Sequence, residues 1–321
     1  MFSIQRCHPR HQRGVTLVEL LVVVTIAVVL LAASIPMMQP VIKGREVREA
    51  TREIQAFIKA AEVRAMERGR PVGVAFLRSD KSPNLVYQLA LAEVPPPYMG
   101  DSSDARALVL NIDLTSGQCR ASLSASLNAL EYVNPGDRIR FDFRGPSYRV
   151  ASKPSGQYLM FHLDGSLPPP KGQLGVSTGV PFQIFRQPRI TAAAPLELPV
   201  PAAIDLSMSG IGAQGFQFNG YTEPVVMTFR PQGGLDRIYT GGNGSDPLRT
   251  LEPLFLLIGR ADQVGEANIN DNRSQWMSIT RVGAMHMLQN ETPQVGGMTV
   301  DAKVAAIRTN MRKKWMTAGS S

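Results

Sequence analysis

The sequence predicts an α+β protein, with one long kinked helix at the N-terminus packed on an antiparallel β-rich head. Three observations point to it. An apolar run fills residues 15–35, a stripe of helical period continues it to Arg68, and from Pro71 the period shortens to that of strands separated by turn residues.

The apolar run carries a single charge, Glu19. At 1.5 Å per residue, about 21 helical residues cross a hydrocarbon core of ~30 Å, so 15–35 is expected to span a membrane. Residues 1–14 hold Arg6, Arg10 and Arg13 and no acid. Positive charge stays on the cytoplasmic side, which places this leader in the cytoplasm and the C-terminus outside. A carboxylate inside an apolar span costs roughly 2.5–3.5 kcal/mol and so calls for a cationic partner. A cleaved secretory signal would have a shorter, uncharged core before its small-residue site, here Ala32-Ala33-Ser34. A plain anchor would give no reason for Gly14 and Glu19 at this spacing.

The run Arg13-Gly14-Val15-Thr16-Leu17-Val18-Glu19-Leu20 resembles the class III signal of type IV pilins and type II secretion pseudopilins. The resemblance implies that a prepilin peptidase cuts after Gly14 and that the new N-terminus, Val15, is N-methylated. It further implies that Glu19 serves filament assembly by pairing with the α-amine of Val15 in a neighbouring subunit, and that Pro36 kinks the helix. Val15 departs from the Phe or Met usual in that family. The partners implied are prepilin peptidase, other pilins or pseudopilins in a filament, and the inner membrane, with the head in the periplasm.

Beyond the apolar run, Val47, Ala50, Ile54, Phe57, Ala61 and Ala65 recur at steps of three and four, which makes 36–68 an amphipathic helix. Arg45, Glu49, Arg52, Glu62 and Arg68 are assigned to its outer face. Pro36 and Pro40 each remove a ladder donor and are expected to bend the helix. Gly69 and Pro71 then stop it. The whole helix, Val15 to Arg68, would measure roughly 80 Å if straight.

Strands follow over 71–287. Residues 72–77 and 85–91 form a hairpin around 79–84, and further candidates lie at 105–114, 139–150, 157–163, 180–186, 223–229, 235–240, 253–258 and 275–281. Separators such as Asn134-Pro135-Gly136-Asp137 and Gln232-Gly233-Gly234 are turn sequences. Short strands with hairpin-length turns indicate antiparallel pairing. Residues 121–131 fit one short helix. The segment from Ile58 to Val72 looks like the helix end and first strand of the GspH/FimT group of minor pseudopilins and minor pilins. Val226–Gly233 and Gly259-Arg260 are a weaker echo of that group, and 80–220 matches nothing in it.

Composition excludes several classes of function. Formal net charge is +8 over 321 residues; without the leader's three arginines, 31 basic residues face 26 acidic ones, a net of +5. Cys7 would leave with the leader, and Cys119 would then have no internal disulfide partner. His162 and His286 lie in no metal-ligand spacing, so neither a metal nor a cofactor is expected. Gly175-Val176-Ser177-Thr178-Gly179 matches G-x-S-x-G but lacks the strand-to-helix context of a nucleophile elbow. Asp246 alone cannot supply the oxygens calcium needs. The expectation is a structural subunit, with a membrane-anchored periplasmic enzyme as an alternative.

The tail, 288–321, changes character again. Val304, Ile307, Met311 and Trp315 follow helical spacing, with Arg308, Arg312, Lys313 and Lys314 beside them. Charge paired with an aromatic is what nucleic-acid contact uses, so these five residues keep open a DNA-binding minor pilin for DNA uptake. A solvated helix face has the same composition, and it is the reading favoured here.

Overall fold

The computed structural model describes residues 17–124, 130–152, 154–164, 166–170, 179–240, 246–249, 251–291 and 297–318, with the backbone alone for 33–43 and 316–318. It is a mixed α+β chain with a large antiparallel β-rich body. The chain divides into two compact units, Met1–Arg45 and Glu46–Ser321.

Helix α1 (Leu17–Arg68) is continuous through Pro36 and Pro40, without the break in the helix that two missing donors would allow. In the first unit its side chains from Leu17 to Leu31 are exposed. Among the described residues, no helix is long and apolar enough to cross a membrane. The side chains described there end at Ala32, short of the about 20 residues a bilayer core requires. Residues 15 and 16 and the side chains of 33–35 fall outside that description.

In the second unit the stripe on α1 is buried as the period requires. Val47, Ala50, Ile54, Ile58, Ala61 and Ala65 are all fully enclosed. Ile58 takes the place expected for Phe57, which is only partly buried. Cutting Ile54 or Ile58 to alanine should cost about 2–5 kcal/mol. The helix stops at Arg68 because Gly69 turns left-handed, at φ 61°. Arg68 and Arg70 then reach one carboxylate, Glu93, at 3.1 and 2.6 Å.

The expected hairpin forms as β1 (Val72–Arg78) and β2 (Leu85–Glu93), with Val72 opposite Glu93. Six strands then form a separate sheet: β3 (Ala107–Ile112), β4 (Gln118–Leu123), β5 (Arg138–Phe141), β6 (Ser147–Val150), β7 (Tyr158–His162) and β8 (Phe182–Phe185). The chain returns through β9 (Arg189–Ile190), β10 (Leu196–Glu197) and β11 (Ala202–Ile211). It continues as β12 (Val225–Phe229), β13 (Leu235–Tyr239), β14 (Leu254–Arg260), helix α2 (Glu266–Asn270), β15 (Gln275–Ile279), β16 (Met285–Gln289) and helix α3 (Val300–Ala318).

The large sheet runs β13-β12-β1-β2-β11-β14-β15-β16, with β9 and β10 also paired to β2. Gly73 lets β1 close on β12: a Cβ there would lie 1.8 Å from the carbonyl oxygen of Met227. Helices cover both faces, so β14 is buried at every residue and reads as a continuous apolar run. Leu254, Leu256 and Ile258 join α1, whereas Phe255 and Leu257 join Trp276 under α3.

The small sheet has the order β3-β4-β7-β6-β5-β8. Ala107 and Val180 exchange backbone hydrogen bonds at 2.7 and 2.9 Å, so the two edges meet and the sheet closes on itself. Its own core holds Phe141, Tyr148, Phe161 and Phe182, three of them with ring centroids 5.3–5.9 Å apart. This barrel occupies part of the region, 80–220, that had no counterpart in the resemblance.

Several expectations need correction. Residues 121–123 belong to β4 and not to a helix; 125–129 lie outside the described residues. The candidate 139–150 is two strands, β5 and β6, joined by a turn in which Asp142 and Phe143 take positive φ. Strand β11 was not expected, yet it sits near the middle of the large sheet. The tail is no separate segment, because β16 crosses its expected start at 288 and α3 packs on the sheet.

Candidate functional site

Two regions carry the site residues expected from the sequence. In the first, Glu19 lies exposed in the first turn of α1. Gly14 and Val15 lie outside the described residues, as do Gly175–Thr178 of the G-x-S-x-G sequence and the glycine-rich 241–244 loop.

The second region is the basic tail, and its members separate. Val304, Ile307 and Met311 are buried on the sheet, as helical spacing requires. Arg308 is buried completely with them, and so is unavailable to a nucleic acid. Its guanidinium donates to the carbonyl oxygens of Met208 at 2.6 Å, Gly215 at 2.7 Å and Gly212 at 3.0 Å. It lies 5.3–5.5 Å from the ring centroids of Phe216, Trp276 and Phe255, and their π faces help hold the charge. Burial draws its pKa down to about 9, so it remains protonated at neutral pH.

Trp315 stacks on His286 at 4.7 Å and on Phe255 at 6.0 Å. The histidine that suggested no metal site is thus part of an aromatic stack. Arg312 pairs with Glu252 at 3.1 Å and Lys314 with Glu291 at 2.9 Å. With Arg308 inside and two cations paired, the five residues do not form one basic, aromatic surface.

Glu62 also departs from its expected place. It is buried on α1, where its carboxylate accepts from Lys59 at 2.6 Å and from the backbone N–H of Gly234 at 3.1 Å. One helix side chain thereby ties down the β12–β13 turn. Spacing held the signal, since position 62 stands four residues after Ile58 and three before Ala65, both buried.

Asp205 in β11 is a third buried charge. It accepts from Ser207 N–H and Oγ at 3.1 and 2.5 Å, Gly265 N–H at 2.7 Å and Asn268 Nδ2 at 3.0 Å. All its acceptor capacity is used within the protein, so it is a structural group and not an acid–base candidate. Asp246 is engaged by Arg138 at 2.5 Å, which occupies the carboxylate once considered for calcium. Among the described residues, no group of three or more His, Cys, Asp or Glu is placed to hold a metal ion. Burial raises the thiol pKa of Cys119 and lowers its reactivity.

Compared with known proteins, the chain matches one family model, the prokaryotic N-terminal methylation motif, over residues 9–35. No curated protein and no solved structure matches it. The matched stretch contains Gly14, Val15 and Glu19 together. The chain therefore carries a prepilin-type N-terminus, which supports a type IV pilin-like protein, processed by prepilin peptidase and anchored to a membrane.

Proposed function

We propose that this chain is a minor pilin or pseudopilin of the GspH/FimT kind, a structural subunit and not an enzyme. It would serve in a type II secretion pseudopilus or a related type IV pilus-like filament. The methylation-motif match over 9–35 carries the reading. The helix and β-rich head behind that motif fit it, since such a subunit needs an anchor and a folded cargo. In this reading Val15–Ile35 sits in the inner membrane and the head stands in the periplasm. Glu19 meets the α-amine of Val15 in the next subunit, where low dielectric makes loss of one partner costly.

Intact-mass measurement on membrane fractions tests processing. The mature protein should lack residues 1–14 and carry one added methyl group at Val15; a chain that still begins at Met1 would reject the reading. Glu19→Ala should leave the protein inserted and cleaved but missing from sheared filaments. Glu19→Gln should behave like Glu19→Ala, because the amide keeps size and loses charge. Wild-type incorporation of both variants would reduce the chain to an anchored head. The alternative of a DNA-binding minor pilin drew on the basic tail, and with Arg308 in the core no observation favours it.

A further inference from the structure

A second concentration of positive charge lies away from both regions above, where the barrel meets the edge of the large sheet. A hollow of about 310 Å³ there is lined by Arg138, Arg140 and Phe185 from the barrel, and by Arg237, Asp246 and Arg249 from the large-sheet side. Arg138 and Arg140 alternate along β5 with Ile139 and Phe141, which fill the barrel core, so strand geometry turns both arginines outward.

The charges in this hollow do not balance. Four guanidinium groups face one lining carboxylate, Asp246. Arg138 is held in place, with Asp246 at 2.5 Å and Ser147 Oγ and carbonyl oxygen at 3.0 and 2.7 Å. Arg237 reaches Asp236 only at 3.9 Å, and that acid also faces Arg230 at 3.4 Å. Arg140 lies 4.9 Å over the ring of Phe185, and its buried Nε has no hydrogen-bond partner among the described residues. Arg249 is exposed and has no acidic partner among the described residues. Like charges gathered in a hollow repel one another, and an anion entering it would relieve that repulsion. The planar guanidinium fork donates two parallel N–H groups to one oxyanion, which suits phosphate better than a neutral ligand or a cation.

We propose that this hollow binds a small, multiply charged oxyanion of the phosphate or pyrophosphate type, held by Arg140 and Arg249 with Arg138 and Arg237 beside them. The ligand would bridge the barrel and the large sheet, as the Arg138–Asp246 pair already does. Sites of this volume commonly lie where two lobes meet.

Titration calorimetry on the full chain in a non-ionic detergent, with sodium pyrophosphate in a low-chloride buffer, tests this. One saturable site per chain is expected, weakening as sodium chloride is raised. The double variant Arg140→Gln/Arg249→Gln should bind about tenfold more weakly or worse, while Arg64→Gln, an exposed arginine on α1, should bind as wild type does. Absence of saturable binding, or equal weakening by Arg64→Gln, would overturn the proposal. So would binding of oligothymidylate with none of pyrophosphate, since that would make the surface a nucleic-acid interface. Without ligand the double variant should unfold no earlier than wild type, because neither side chain it changes makes an ion pair among the described residues and its removal relieves the repulsion between the guanidinium groups. Should it fail to fold, phenylglyoxal labelling of wild type decides. Pyrophosphate should slow modification of Arg140 and Arg249, and unchanged rates would refute the site.

Discussion

Replacing Arg308 by methionine separates a core role from a surface role. Methionine keeps much of the apolar stem among Phe216, Phe255 and Trp276, but it leaves the carbonyl oxygens of Met208, Gly212 and Gly215 without their donor. An unsatisfied buried acceptor costs about 1–3 kcal/mol. Three of them would set the upper end, and release of the buried charge offsets part of it, for a net loss of about 3–5 kcal/mol. For a unit of this size that is a fall in Tm of roughly 10 °C. Arg308→Lys should recover only part, because a single ammonium cannot reproduce the fork. The assay is urea unfolding of the full chain in detergent, followed by tryptophan fluorescence. Both tryptophans belong to this core, Trp276 beside the guanidinium and Trp315 on Phe255. A loss under about 1 kcal/mol would refute the account of α3.

Three further perturbations test the frame. Gly73→Ala should cost about 3 kcal/mol or more, since its Cβ would meet the Met227 carbonyl while β2 blocks retreat on the other side; a variant with wild-type Tm would contradict the observed register. Glu62→Ala should destabilise by about 1–3 kcal/mol and speed hydrogen exchange at Gly234, with Glu62→Gln milder; unchanged exchange would show the contact to be idle. Burial acts to raise the pKa of Asp271, but hydrogen bonds from Arg273 outweigh it and hold the carboxyl below its usual 3.8. Its stabilising contribution is therefore present above pH 3.8 and lost as pH falls through the lower folded value. Asp271→Asn should flatten that acid limb of the stability curve, and an unaltered limb would reject the assignment.

The N-terminal motif was legible because it is local: a glycine, a lone acid and an apolar run at fixed spacing need no tertiary partner to be recognised. The same holds for the stop at Gly69, the β1–β2 hairpin and the buried stripe of α3, where period and turn chemistry act within a few residues. Strand β11 was hidden because Asp205, Ser207 and Ser209 interrupt its apolar pattern. Their partners, Gly265, Asn268 and the N–H of Leu257, lie about fifty residues on or more. Glu62 and Arg308 show the limit most clearly. Charge argued for outer faces and the reading of the sequence followed it for both, although the apolar neighbours at helical spacing pointed the other way. Only the folded chain decided between them, because burying a charge is tolerable where hydrogen-bonding partners converge on it, and these came from the β12–β13 turn for Glu62 and from three carbonyl groups after β11 and within it for Arg308.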